Sequence, residues 1–269
     1  MARGGGAGRL MLTPSEKLSQ TKRAPLHCAR GAMTPMMCCT ALTRPHATGT
    51  LLHTLVGHAD RLGRCRWHPG GAYLATAGYD ATWRLWDAGT GSQLLVQEGH
   101  ARAVYALAFQ PDGSLALSAG LDGFARVWDL RTGRSVLLLK GHVQGITACD
   151  WSPDGHTCAT GAGDHSTRVW DMRQSGRCVA ILPAHGGTIT AVKFEPTCGG
   201  VLLTASHDTT VKLWGAPSWG LARAMRTGEA KVMGADLGPG ASLVATASYD
   251  RTVKVWATQE GGDAAMAEA

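Results

Sequence analysis

The chain has 269 residues, with 26 Lys/Arg against 20 Asp/Glu, a formal net charge of +6. Residues 1–50 carry Arg3, Arg9, Lys17, Lys22, Arg23, Arg30 and Arg44 against Glu16 alone, so residues 51–269, with 19 charges of each sign, are neutral. This disfavours a uniformly basic nucleic-acid-binding body, and no run of 18 apolar residues is available to cross a membrane as a helix.

In chain order, residues 1–50 read as a basic, disordered tail. Met1–Leu12 is rich in Gly and Arg and lacks the apolar stretch of a secretory signal. A truncated gene model and an organelle transit peptide are the other readings of this segment. The eight cysteines (Cys28, Cys38, Cys39, Cys65, Cys149, Cys158, Cys178, Cys198) form no CxxC pair and read as free thiols in a reducing compartment. Cys38-Cys39 has no further ligand at metal-site spacing. All nine Trp fall between Trp67 and Trp256, so core-forming sequence starts after the tail.

From residue 51 the chain repeats. Trp86, Trp128, Trp170, Trp214 and Trp256 recur at intervals of 42, 42, 44 and 42 residues. Six residues before each stands an acid (Asp80, Asp122, Asp164, Asp208, Asp250), and four before that a hydroxyl (Thr76, Ser118, Thr160, Thr204, Thr246). His58, His100, His142 and His185 open the first four units, while Gly228 takes that place in the fifth. Within a unit, apolar residues alternate and Pro-Asp-Gly turns interrupt them, as in Pro153-Asp154-Gly155. Each unit therefore predicts four short strands and no helix. Leu51–Val56 reads as one more strand, able to pair with the last unit around Trp256 and close a ring. Residues 258–269 form a short C-terminal tail.

Gly-His early and Trp-Asp late in a repeat of this length resemble the WD40 family, whose members fold as β-propellers. The Trp-Asp pair is literal at Trp86-Asp87, Trp128-Asp129 and Trp170-Asp171 and decays to Trp214-Gly215 and Trp256-Ala257. The resemblance implies an all-β propeller with five recognisable four-stranded blades over residues 51–257. It also implies that the His, hydroxyl, Asp and Trp of each unit form a structural hydrogen-bonded chain. A Ser-His-Asp catalytic set would occur once, whereas this set occurs four times at fixed spacing. The basic residues two before each Trp (Arg84, Arg126, Arg168, Lys212, Lys254) suggest a phosphate-binding ring, but WD40 repeats ordinarily carry a basic residue there. With Gly228 in place of His, the fifth blade is expected to be looser, and Gly228→His to add about 1 kcal/mol.

Several strings exceed the general WD40 pattern: WRLWD (83–87), QEGH (97–100), FQPDGSLAL (109–117), GLDGFARVWDLRTGR (120–134), VKFEP (192–196), KVMG (231–234) and SYDRTVKVW (248–256). Together they resemble the pre-mRNA processing factor four family, the WD40 proteins of the spliceosomal U4/U6 small nuclear ribonucleoprotein. That resemblance implies a nuclear, non-enzymatic scaffold of the U4/U6 and U4/U6.U5 particles, needed for splicing. It would hold splicing-factor proteins and lie on or near U4 and U6 RNA, with no cofactor, no metal, no membrane and no small-molecule substrate. The family carries two further repeats and a cyclophilin-binding region upstream, and residues 1–50 show neither. The five units thus look like part of a seven-bladed propeller.

WD40 geometry also implies a partner-binding top face made of Arg61, Tyr79, Tyr105, Leu121, Thr147, His207, Lys231, Met233 and Tyr249. Tyr79, Tyr105 and Tyr249 are expected on adjacent blades. The alternative function is substrate reception for a cullin-RING ubiquitin ligase, suggested by the WDxR strings Trp128–Arg131 and Trp170–Arg173.

Overall fold

The computed structural model describes residues 51–257; the basic tail, the Cys38-Cys39 pair and the C-terminal tail lie outside them. Short antiparallel strands account for nearly all regular structure, with two single-turn 3₁₀ helices. Blade 1 is β1 (Leu62–Trp67), β2 (Tyr73–Gly78), β3 (Trp83–Asp87) and β4 (Gln93–Gln97). Blade 2 is β5 (Val104–Phe109), β6 (Leu115–Gly120), β7 (Ala125–Asp129) and β8 (Arg134–Leu139). Blade 3 is β9 (Ile146–Trp151), β10 (Thr157–Ala162), β11 (Thr167–Asp171) and β12 (Arg177–Leu182). Blade 4 is β13 (Ile189–Phe194), β14 (Val201–Ser206), β15 (Thr210–Gly215) and β16 (Gly220–Arg226). Blade 5 is β17 (Val232–Leu237), β18 (Leu243–Ser248) and β19 (Val253–Ala257).

Each sheet is a meander in chain order, so five blades stand in sequence. The first strand of each blade packs on the first strand of the next, from β1 on β5 through to β13 on β17. The second strand is the most deeply buried in blades 1 to 4. In β6 and β10 five of six residues are buried, which suits their small and apolar side chains. The core is distributed across the blade junctions: Trp83, Leu85, Val104 and Leu107 join blades 1 and 2, and Val169, Ile189, Val192 and Leu202 join blades 3 and 4.

Two bulges recur and aim the side chains that matter. The first two strands slip register between Val104 and Ala106, between Ile146 and Ala148, and between Val232 and Gly234, leaving Tyr105, Thr147 and Met233 as the extra residues. The third and fourth strands slip again beside Trp86, Trp128, Trp170 and Trp214.

Among the described residues, Leu51–Val56 does not pair with β19, the pairing that would have closed a five-bladed ring. The segment carries one described bridge residue, Thr54, and among the described residues the sheet of blade 5 has three strands. The segment lies against blade 1 instead: His53 Nε2 donates to Gly89 O at 2.9 Å. The physical reason is visible at both ends of the arc. No residue of β1 is fully buried, whereas β5, β9 and β13 are largely enclosed. On β19, Val253 and Val255 remain 71% and 68% exposed. Among the described residues, no core cluster joins blades 1 and 5.

Candidate functional site

The four His units build the same chain of hydrogen bonds. In blade 1, Trp86 Nε1 donates to Thr76 Oγ1 at 2.8 Å, Thr76 lies 2.8 Å from His58 Nε2, and His58 Nδ1 lies 2.8 Å from Asp80. The corresponding distances are 2.7, 2.8 and 2.9 Å in blade 2 through Trp128, Ser118, His100 and Asp122. They are 2.9, 2.8 and 2.9 Å in blade 3 through Trp170, Thr160, His142 and Asp164. In blade 4 they are 3.0, 2.8 and 3.0 Å through Trp214, Thr204, His185 and Asp208.

The donors dictate the proton positions. An indole N–H only donates, so the hydroxyl accepts from Trp and gives its own proton to His Nε2. Nδ1–H then donates to the carboxylate. Burial lowers the pKa of all four histidines, which keeps them neutral as this arrangement requires. Asp164 is pulled down to about 2 by Ser166, His142 and the Val143 backbone N–H, which outweigh its desolvation. These hydroxyls are fully buried and held by the Trp N–H, so none is presented to a substrate as a nucleophile. The chains tie the loop before each blade to its second and third strands.

Blade 5 retains one link. Trp256 Nε1 donates to Thr246 Oγ1 at 3.1 Å, and Asp250 is bonded to Thr252 alone among the described side chains. Gly228 adopts φ +147°, close to the +145° of Gly99, and faces Lys254 as Gly99 faces Arg126. Lys254 Nζ donates to Thr227 O there. The backbone at Gly228 therefore favours glycine, and a side chain at that point meets Lys254 rather than Thr246. The gain expected from Gly228→His is overturned by this geometry.

A second recurring feature joins neighbouring blades at the opposite ends of the first strands. His68 Nε2 donates to Gly113 O at 2.9 Å, and Gln110 Nε2 donates to Gly155 O at 2.7 Å. Glu195 accepts from Gly240 N at 2.8 Å, while Ser152 sits beside Gly199. All four turn glycines have φ between +66° and +78°. Glu195 is only 1% exposed and also accepts from Thr197, Cys198 and Gly199, which hold its carboxyl far below the usual range. Further links are Asp150 to Lys193 Nζ at 3.1 Å and Gln97 Nε2 to Gly133 O at 3.0 Å. The sequence reading assigned none of these residues a junction role, although Gln97, Gln110, Lys193 and Glu195 fall in strings that exceed the general repeat pattern.

On the top face, the residue before the repeat Asp donates its backbone N–H to the loop before the first strand. Tyr79 bonds to Arg61 O, Leu121 to Ala103 O, His207 to Thr188 O and Tyr249 to Lys231 O, at 2.9 to 3.0 Å. Arg61 stacks over the Tyr79 ring at 4.0 Å, and Tyr79 meets Tyr105 edge to face at 6.1 Å, forming one cluster across blades 1 and 2. Burial raises the Tyr79 pKa, with Tyr105 adding to the shift, so the phenol stays protonated. Lys231 and Met233 are exposed on blade 5, beside His207, whose pKa is lowered by burial and by Lys231. Leu121 is half-buried. Thr147 directs its hydroxyl to Ile189 O of the next blade and to Gly161 O, so it serves the junction. Tyr249 is 74% exposed and stands on blade 5, while Tyr79 and Tyr105 pair across blades 1 and 2.

Cys149 and Cys158 are buried free thiols, the first pushed up to about 12 by burial and Asp150. No described helix is long and apolar enough to cross a membrane.

Residues 49–87, 91–129, 133–171, 176–215 and 223–257 match the WD domain, G-beta repeat. The chain belongs to the WD40 repeat family. Among curated relatives, a 44-residue stretch is 48% identical to the U4/U6 small nuclear ribonucleoprotein PRP4 of Saccharomyces cerevisiae, covering 16% of this chain and 10% of that protein. A 37-residue stretch is 51% identical to the probable cytosolic iron-sulfur protein assembly protein Ciao1 of Anopheles gambiae, covering 14% and 11%. Each match thus spans about a tenth of the relative's length.

Proposed function

We propose that this WD40 protein is a non-catalytic scaffold of the U4/U6 and U4/U6.U5 small nuclear ribonucleoprotein particles, acting in the nucleus in pre-mRNA splicing. The observation that carries the reading is the 48% identity to PRP4 over 44 residues. It is supported by strings such as QEGH and DLRTGR that the repeat itself does not require.

Partner binding falls to the top face. Arg61, Tyr79 and Tyr105 offer a preformed cation–aromatic cluster, and Lys231, His207 and Met233 offer a second, basic patch on blades 4 and 5. Aromatic and Arg groups are the usual anchors of protein contacts, and the Tyr79 and Tyr105 rings lose little rotamer entropy on binding. Splicing-factor proteins are the direct partners in this reading, and contact with U4 and U6 RNA runs through them or through the basic residues.

The iron–sulfur reading rests on the 51% identity to Ciao1 over 37 residues and implies a cytosolic assembly partner instead. The cullin-RING reading draws less support from the geometry. The Arg173 guanidinium is engaged by its own Asp171, at 3.1 Å from Nε and 3.0 Å from Nη2.

The test is affinity capture of the tagged full chain from its own cell extract, followed by probing for U4 and U6 RNA and for co-purifying proteins. Recovery of both RNAs, reduced by Tyr79→Ala with Tyr105→Ala, is the expected result. Recovery of iron–sulfur assembly proteins or of a ubiquitin-ligase adaptor, without either RNA, overturns it.

A further inference from the structure

The first strands pack on one another in sequence, from β1 on β5 to β13 on β17, so their side chains meet on the inner side of the blades. At the fifth residue of these strands stand Arg66, Ala108, Asp150, Lys193 and Asp236. The residue type changes from blade to blade, so the repeat does not impose these charges.

They gather around β9. Arg66 Nε donates to Leu107 O of blade 2 at 3.3 Å, which lays its guanidinium over that blade, beside the small Ala108. From the other side, Lys193 Nζ of blade 4 reaches Asp150 at 3.1 Å. Arg64, Arg66 and Lys193 all act on the Cys149 thiol, opposing the rise that burial and Asp150 impose. Cations from two blades that are not neighbours therefore converge on β9. Ala108, Cys149 and Trp151 pack in one cluster there. Trp151 is 6% exposed, and its Nε1–H has no acceptor among the described residues.

Positive charge outweighs negative at this place. Asp150 is the acid paired with Lys193, and both its oxygens are engaged, Oδ1 by that ammonium and Oδ2 by the Phe194 N–H at 3.1 Å. Asp236 is exposed and accepts from the Leu237 N–H. Two guanidinium groups and one ammonium thus stand against one spent carboxylate, beside a buried indole N–H.

We propose that the inner side of blades 1 to 4, around Arg66, Trp151 and Lys193, binds a small polyphosphorylated molecule. A phosphate group supplies acceptors to a set made almost wholly of donors, and guanidinium and ammonium groups are its usual partners in proteins. A small ligand is favoured over a nucleic-acid strand because the Lys193 and Asp150 side chains are only 18% and 17% exposed, an enclosure that a continuous sugar–phosphate backbone does not enter. Such a ligand would bind whether or not the protein enters a splicing particle.

Titration calorimetry of the full chain with inorganic tripolyphosphate, at physiological ionic strength, should show saturable binding of one ion per chain. Arg66→Gln and Lys193→Gln should each weaken it by about tenfold, the loss of one charge-assisted hydrogen bond. Arg134→Gln combined with Arg177→Gln, which removes the same kind of charge from the exposed starts of β8 and β12, should leave it unchanged. Hydrogen exchange on the wild-type chain gives a second reading that needs no variant to fold: the ion should slow exchange in β5, β9 and β13. Absence of saturable binding, equal weakening by the Arg134/Arg177 variant, or protection confined to the outer strands overturns the proposal. Stronger competition by a short single-stranded RNA, compared at equal phosphate concentration, would assign the surface to nucleic acid and overturn it as well.

Discussion

Blades 3 and 5 share the hydroxyl, Asp and Trp at the same spacing, but blade 5 lacks the histidine and holds the rest differently. In blade 3, Trp170, Thr160, His142 and Asp164 form an unbroken chain of bonds of 2.8 to 2.9 Å, and blades pack on both sides. In blade 5 the chain stops at Thr246, β19 leaves Val253 and Val255 in solvent, and among the described residues its core cluster is shared with blade 4 alone. The contrast separates two sources of blade stability that the repeat presents together. The polar chain is internal to a blade and needs the histidine, whereas most apolar burial comes from the neighbours.

The comparison is broken most sharply by removing the histidine from blade 3. His142→Ala leaves Thr160 and Asp164 without their shared partner and should cost about 2 kcal/mol, read as a lower midpoint in urea denaturation. Asp250→Ala, the blade 5 counterpart of losing Asp164, should leave that midpoint nearly unchanged, since Asp250 bonds only Thr252 locally.

Acid should act through the same groups. The four histidines have folded-state pKa values below their ordinary 6.5, so the unfolded chain takes up protons first as pH falls. Their contribution is fully present above about pH 6.5 and is lost as pH falls through the lower folded-state values. Asp80, Asp164, Asp208 and Glu195, also depressed, add a second loss below about pH 4. A midpoint that is flat from pH 7.5 to 5 would contradict this account. His142→Ala should make the first loss shallower.

Gly228→His is a smaller effect, expected to lower stability by about 1 kcal/mol because of the positive φ at that residue. An increase in thermal midpoint would mean that the loop can rebuild and complete a fifth chain. Smallest of all is Arg61→Ala. It removes an exposed guanidinium from the Tyr79 ring and should change the thermal midpoint little while weakening partner capture.

Much of this was legible from the sequence because a repeat copies its chemistry. The His, hydroxyl, Asp and Trp positions stand out at fixed spacing, and the strands follow from alternation and turns. The junction bonds were hidden for a physical reason. The same structural place is filled by His68, Gln110, Ser152 and Glu195, three donors or small polar groups and one acceptor, so no letter recurs there. Gly228 misled because its place in the count suggests a missing histidine, while its backbone shows the conformation of the glycine that precedes one.

Hydrogen exchange followed by mass spectrometry, on dilute monomeric chain at neutral pH, tests the contrast most directly. Amides of β9–β11 should exchange only at the free energy of global unfolding, while those of β17–β19 should open locally and exchange much faster. Equal protection in the two blades would contradict the claim that the histidine chain and a packed neighbour on each side are what hold a blade together.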